Sequence, residues 1–280
     1  MSDPSPIRGD PSCPRCHGLG YVVEPTTPHA QAALCDCVPA CASCGGTGQR
    51  RIERGGRVLV GRCRCRMLPD RIELFNRACI PARHAGSSFL SFRTDANPGV
   101  SGGHITCQQW VRSFRPGEEN KGLILYGDVG RGKTHLMVAV LRELILERGV
   151  EARFVEFSHL LSELKEGYDL GTGEATTLTP LVRVPVLAVD ELGKGRGTEW
   201  ELGIIDQLVS HRYNTLGTVI GTTNYEPNPA TGRPEPNLAQ PELTPSLGDR
   251  VGERVLSRLR EMCNFMRLRG SDYREIARLR

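Results

Sequence analysis

Two sets of residues in this chain have types and spacings suited to chemistry: a duplicated array of cysteines and a glycine-rich loop. Eight of the eleven cysteines lie between residues 13 and 65. Cys13, Cys16, Cys35 and Cys37 follow the spacing C-x2-C-x18-C-x-C, and Cys41, Cys44, Cys63 and Cys65 repeat it in register 28 residues later. Four soft thiolates in two close pairs form the donor set of a tetrahedral structural zinc site. Glycines after each first pair let the chain turn tightly around a metal. Each segment is too poor in apolar residues to fold without such a staple. The expectation is two zinc-ribbon-like modules and about two Zn2+ per chain. Pairing within each repeat keeps each module self-contained. A nested pairing, Cys13 and Cys16 with Cys63 and Cys65 around Cys35, Cys37, Cys41 and Cys44, uses the same ligands.

The second set is GDVGRGKT, residues 127–134, which matches GxxxxGK[ST] in full. Backbone N–H groups of Gly127, Asp128, Val129, Gly130, Arg131 and Gly132 are placed to surround phosphate oxygens. Lys133 would reach the β- and γ-phosphates of ATP, and the Thr134 hydroxyl would sit on Mg2+. Downstream, VLAVDE ends an apolar run in two acids. Asp190 is suited to hold Mg2+ through water, and Glu191 to orient and deprotonate an attacking water. Asn224 is placed to contact the γ-phosphate or that water. Charge developing in the transition state also needs a cation. Arg250, Arg254 and Arg258 recur at i, i+4, i+8, so a single helix would carry them on one face.

The elements that must position these residues alternate strand and helix, which predicts a parallel sheet covered by helices. GLILY (122–126) reads as a strand and HLMVAVLRELILERG as a helix ending near Gly149. EARFVEF (151–157) reads as a strand, and SHLLSELKEGY (158–168) as a helix capped by Ser158. Residues 169–180 read as a polar loop, 184–193 as a strand, 198–214 as a helix and 217–224 as a strand. Residues 226–246, with six prolines, read as a surface loop. Residues 247–262 read as one helix, and CNFMRLRG as a last strand.

Charge is uneven along the chain. Residues 1–70 carry nine Lys/Arg and six Asp/Glu, residues 247–280 nine and five, and the middle eighteen and twenty-one. A basic head and tail around an acidic body suit contact with an anionic polymer. The second cysteine repeat holds Arg50, Arg51, Arg54, Arg57, Arg62, Arg64 and Arg66 against Glu53 alone, while Tyr21 is the sole aromatic residue before Phe75. With so few stacking partners, base reading by this region is not expected. No apolar run is long enough to span a bilayer, and MSDPSPIRGDPS lacks the apolar core of a signal peptide. A cytoplasmic protein is expected, where thiols bind metal rather than form disulfides.

Taken together, GLILYGDVGRGKTHL, VPVLAVDELGK, HRYN, IGTTN and GERVLSRLREMC resemble, in content and order, the DnaC/IstB group of AAA+ ATPases. IPARHAGSSFLSF (80–92) is similar to the segment leading into their ATPase domain. The resemblance implies that residues 127–134 are Walker A, that Asp190 and Glu191 are Walker B, and that Asn224 is sensor 1. It implies that Arg258 is the arginine finger that reaches a neighbouring subunit's nucleotide. It departs from the group in having DE where DD is frequent, and in doubling the zinc region.

These readings together imply a disordered stretch over 1–12, zinc modules over 13–38 and 39–68, a linker over 69–100, and a lidless AAA+ domain over 101–280. The implied function is loading of a replicative helicase, with ATP hydrolysis, contact with single-stranded DNA and self-association through the ATP sites. An IstB-like transposition helper, partnered by a transposase, is the alternative. A zinc-dependent adaptor with a degenerate ATPase is a third.

Overall fold

The computed structural model describes residues 8–95, 97–171, 173–227 and 245–278. Most of the proline-rich stretch 226–246, and residues 1–7 of the N-terminal stretch, lie outside them. Two compact units divide the chain: residues 1–86 with 142–151, and residues 87–141 with 152–280.

The first unit contains two antiparallel hairpins, β1 (Tyr21–Glu24) with β2 (Gln31–Leu34), and β3 (Gln49–Arg54) with β4 (Arg57–Arg62), followed by α1 (Met67–Arg77). The sequence repeat is a structural repeat. Tyr21 faces Leu34 and Gln49 faces Arg62, a shift of 28 on both strands. Cys35 N–H donates to Gly20 O at 2.9 Å, and Cys63 N–H to Gly48 O at 2.9 Å. Gly20 and Gly48 have φ of 79° and 74°, a conformation strained for any residue with a Cβ. Helix α1 buries Leu68, Ile72 and Phe75, and packs on β2 and on residues 143–147.

The second unit is an α/β domain. In chain order it contains α2 (Ser101–Ser113), β5 (Gly122–Tyr126), α3 (Lys133–Arg142), β6 (Ala152–Glu156), α4 (Phe157–Asp169), α5 (Glu174–Arg183), β7 (Val186–Asp190) and α6 (Glu199–Asn214). β8 (Thr218–Thr223), α7 (Leu247–Val251), α8 (Glu253–Met262), β9 (Cys263–Arg267) and α9 (Tyr273–Arg278) complete it. Among the described residues five strands pair in parallel, in the order β6-β7-β8-β5-β9. Strands β5, β7 and β8 are buried almost throughout, as helices on both faces require. No helix among the described residues is long and apolar enough to cross a membrane.

The strands and most helices lie where their periodicity predicts, with three corrections. Residues 174–183 form α5, although 169–180 were expected as a polar loop, because Leu178 and Leu181 are buried in the core that also holds α4 and α6. Tertiary burial overrides the weak propensity of its threonines. Helix α4 begins at Phe157 without a side-chain cap, and Ser158 Oγ instead donates to Glu156 Oε1 at 2.6 Å. The single helix expected over 247–262 is broken at Gly252, whose φ is 84°, so Arg250 does not share a helix with Arg254 and Arg258.

Candidate nucleotide site and cysteine clusters

Ligands of open parallel sheets bind beyond the carboxyl ends of the strands. Residues 127–134 leave β5 at that end, Asp190 closes β7, and β8 runs between them. Gly127, Gly130 and Gly132 adopt φ of 128°, 77° and 82°. Side chains there would also collide: a Cβ on Gly132 would lie 2.7 Å from the Phe92 ring, and one on Gly127 2.6 Å from Leu268 O. The loop is therefore held between 88–92 and 268–273. On the first side His135 Nε2 hydrogen-bonds Ser88 O at 2.9 Å. On the second, Tyr273 N–H donates to Gly130 O at 3.0 Å.

Lys133 is buried, and its Nζ donates to Gly127 O and Asp128 O, each at 2.7 Å. Burial pulls its ammonium down to about 8. Thr134 Oγ1 donates to Asp190 Oδ1 at 2.9 Å, so the two side chains expected to hold Mg2+ already meet. Asp190 is buried, which raises its carboxyl above the ordinary range, while hydroxyls of Thr222 and Thr134 oppose the rise. Thr222 was not foreseen. Its Oγ1 donates to Asp190 Oδ1 at 2.5 Å and accepts from Glu191 N–H at 3.0 Å, joining both acids to β8. A hydroxyl in the fully buried strand TVIGTT is the signal that could have revealed it.

Glu191 has φ 55°, uncommon for a residue with a Cβ, and its carboxylate is ion-paired with Lys194. Asn224 lies exposed one residue past β8. Arg131 pairs with Asp128 at 3.0 Å.

The three arginines part company. Arg250 turns back to its own chain: Nε donates to Gly193 O at 3.0 Å and Nη2 to Gly195 O, in the loop after Glu191. Arg258 donates to Asp206 Oδ1 at 2.8 Å and to Ser210 Oγ, with its side chain 21% exposed. Arg254 lies 3.7 Å from the same Asp206 and is 72% exposed. Arg212, in the HRYN stretch, is a buried cation rather than a site residue. It donates to Val182 O at 3.1 Å, Pro185 O at 2.7 Å, Thr218 O at 2.8 Å and Val184 O. Burial lowers it to about 10.

In the first unit the cysteines group within repeats. Cys13, Cys16, Cys35 and Cys37 form one cluster and Cys41, Cys44, Cys63 and Cys65 the other, all sulfurs of a cluster lying within 4.8 Å. Sulfur pairs approach to 3.8, 3.4, 3.7 and 3.4 Å. A tetrahedron with Zn–S bonds of about 2.3 Å has sulfur–sulfur edges of about 3.8 Å, so the donor sets fit Zn2+. Backbone N–H groups of Cys16 and Arg15 bring Cys13 down to about 7, while burial and neighbouring thiols push Cys65 up to about 12. A cation among the four sulfurs would favour ionisation of all of them. Purified protein is expected to carry about two zinc ions by atomic emission, and Cys35→Ser about one. An unchanged zinc content in Cys35→Ser would remove that cysteine from the ligand set.

A glycine loop of this geometry, an acid pair on the second strand over and this strand order define an ATP-binding P-loop NTPase of the AAA+ type. The chain belongs to the family of IstB-like ATP binding proteins, whose model matches residues 108–279. It is similar to the replicative helicase loader DnaC of Escherichia coli, with 29% identity over 182 residues, 65% of this chain and 67% of that protein. A putative ATP-binding protein in an insertion sequence of Mycobacterium tuberculosis is 30% identical over 158 residues, 56% of this chain and 61% of that one. Among solved structures the DnaC helicase loader aligns with TM-score 0.56 and 30% identity, over 67% of this chain and 99% of that one. DnaI, at TM-score 0.52 and 20% identity over 69% and 93%, shares the fold.

Proposed function

We propose that this chain is an ATP-driven loader of a replicative helicase. The observation that carries the reading is the alignment with the solved DnaC helicase loader at 30% identity, over 67% of this chain and 99% of that solved chain. ATP enters with its phosphates on residues 127–132, and Lys133 exchanges its two carbonyl partners for phosphate oxygens. Thr134 and Asp190 would hold Mg2+, which when bound would neutralise phosphate charge. Thr222 fixes the direction of Asp190, and Glu191 leaves Lys194 to take a proton from the attacking water. Asn224 contacts that water or the γ-phosphate.

Arg258 is read as the residue that completes a neighbouring subunit's site, with Asp206 and Ser210 fixing its orientation beforehand. Arg258→Ala is expected to bind ATP normally and to turn it over at least tenfold more slowly. Mixing it with Lys133→Ala, whose own site is empty but whose Arg258 is intact, should restore part of the turnover. No recovery on mixing removes the trans role. Arg250 is read as a clamp on the loop after Glu191 in its own chain.

The first 86 residues are read as a zinc-stapled head that grips the helicase, and the ATPase body as touching single-stranded DNA, in the cytoplasm. The test is capture with full-length Glu191→Gln protein and ATP from its native cells. Recovery of the replicative helicase supports the reading. Recovery of a transposase without it moves the same ATPase to transposition, the reading that the insertion-sequence relative favours.

A further inference from the structure

The two cysteine modules share one strand register at their cysteine ends and differ in what covers them. In the first, β2 is covered by α1: Asn76 Nδ2 donates to Ala32 O at 3.0 Å, and Ala32 N–H donates to Asn76 Oδ1 at 2.7 Å. Ala32 is 4% exposed, with Phe75 and Ile72 of α1 buried. Its counterpart in the second module, 28 residues on, is Val60, which is 69% exposed, beside Val58 at 61%. On β4, Arg62 at the strand's end ion-pairs with Asp70 of α1, but among the described residues no helix covers Val58 or Val60 as α1 covers Ala32.

The register says which groups are left open. Cys63 N–H bonds back to Gly48 O, as Cys35 does to Gly20 O. Alternation along an antiparallel pair then turns the backbone N–H and C=O of Val60 and Val58 outward, as it turns those of Ala32 toward Asn76. Val60 lies opposite Arg51, and Val58 opposite Glu53, so these side chains share a face. The hairpin carries five arginines and one acid. A cleft of about 400 Å³ opens at its base, lined by Val60, Gly61, Arg62 and Arg66 among others. Exposed β-branched residues on an uncovered strand edge are a liability unless something covers them.

We propose that the Val58–Val60 face of β4 docks an acidic amphipathic helix of the partner protein in the way that β2 docks α1. The proposal rests on the reading of the partner as a replicative helicase. The internal repeat supplies the model of occupancy: apolar side chains at i, i+3 or i+4 and i+7 sit on the valines, and an amide side chain pairs with the Val60 backbone. The arginines select Asp and Glu at the rim of that helix. The first module has already used this face within its own unit, so the second is the one that recruits.

The test is the affinity of full-length protein for the purified replicative helicase of the same cells. Val58→Asp/Val60→Asp is expected to weaken binding at least tenfold, with zinc content and ATP affinity unchanged. Val58→Thr/Val60→Thr, which keeps β-branching, guards against misfolding and should weaken it severalfold. Leu34→Thr in the first module should change nothing. Amide exchange at residues 58 and 60 should slow in the complex. Wild-type affinity in both valine variants overturns the docking face and leaves the loader reading standing. No affinity of the wild-type protein for the helicase removes the loader reading and this proposal with it. Loss of binding to a dT oligonucleotide with helicase binding intact overturns the proposal and assigns the hairpin to nucleic acid.

Discussion

Glu191→Gln is expected to lower ATP turnover by about a hundredfold or more, because general-base removal costs about 10²–10⁴ in rate. ATP affinity should stay within about twofold, because Lys133, Thr134 and the glycine amides, the groups proposed to hold the phosphates and Mg2+, are untouched. The substitution is nearly isosteric and keeps a hydrogen-bonding group beside Lys194, so the loop geometry around φ 55° is retained. It removes the negative charge that can accept a proton. Turnover measured by phosphate release, together with binding of a fluorescent ATP analogue, separates the two effects. Normal turnover at normal affinity would exclude Glu191 as the base. Equal loss of both would mean that the substitution disturbs the phosphate loop.

The second large effect concerns stability. Arg212 is 1% exposed and donates to four backbone carbonyls around the entries to β7 and β8. Buried carbonyls that lose their donor cost about 1–3 kcal/mol each. With partial relaxation, Arg212→Ala is expected to destabilise the ATPase unit by about 3–5 kcal/mol. At about 2–4 °C per kcal/mol for a domain of this size, the melting temperature should fall by roughly 10 °C. Arg212→Lys should recover part of the loss, since an ammonium has three donors but not the planar fork. Melting of Arg212→Ala within a degree or two of the wild type would show that water replaces the guanidinium at no cost. Nucleotide affinity below the transition should be close to normal, which distinguishes this residue from those of the phosphate loop.

Much of the site was legible because its chemistry depends on short, contiguous stretches. A phosphate loop needs its glycines and lysine at fixed local spacing, and a strand buried on both faces shows as an unbroken apolar run. The cysteine repeat was legible for the same reason, as ligand pairs at short spacing written twice. Choosing between pairing within repeats and nested pairing required the fold. Both schemes use the same eight residues, and only the hairpins bring Cys35 and Cys37 to Cys13 and Cys16.

Local spacing also misled where tertiary packing decides. Arg250, Arg254 and Arg258 are spaced for one helical face, but Gly252 at φ 84° ends the first helix and sends Arg250 to its own Walker B loop. Residues 174–183 look polar in isolation, and become helical because Leu178 and Leu181 have a core to enter. Which partners Thr222 and Arg212 find is not written locally: Asp190 lies 32 residues from Thr222, and Val182, Val184 and Pro185 lie 27 to 30 residues from Arg212. The phosphate loop, the acid pair, the two thiol sets and the strand–helix order were all readable from the residues, because each is a local pattern. Only the fold settles which hydroxyl orients Asp190, which arginine turns back to the loop after Glu191, and which of the two hairpins α1 covers. Those properties belong to contacts between distant segments, which the spacing of the repeat does not record.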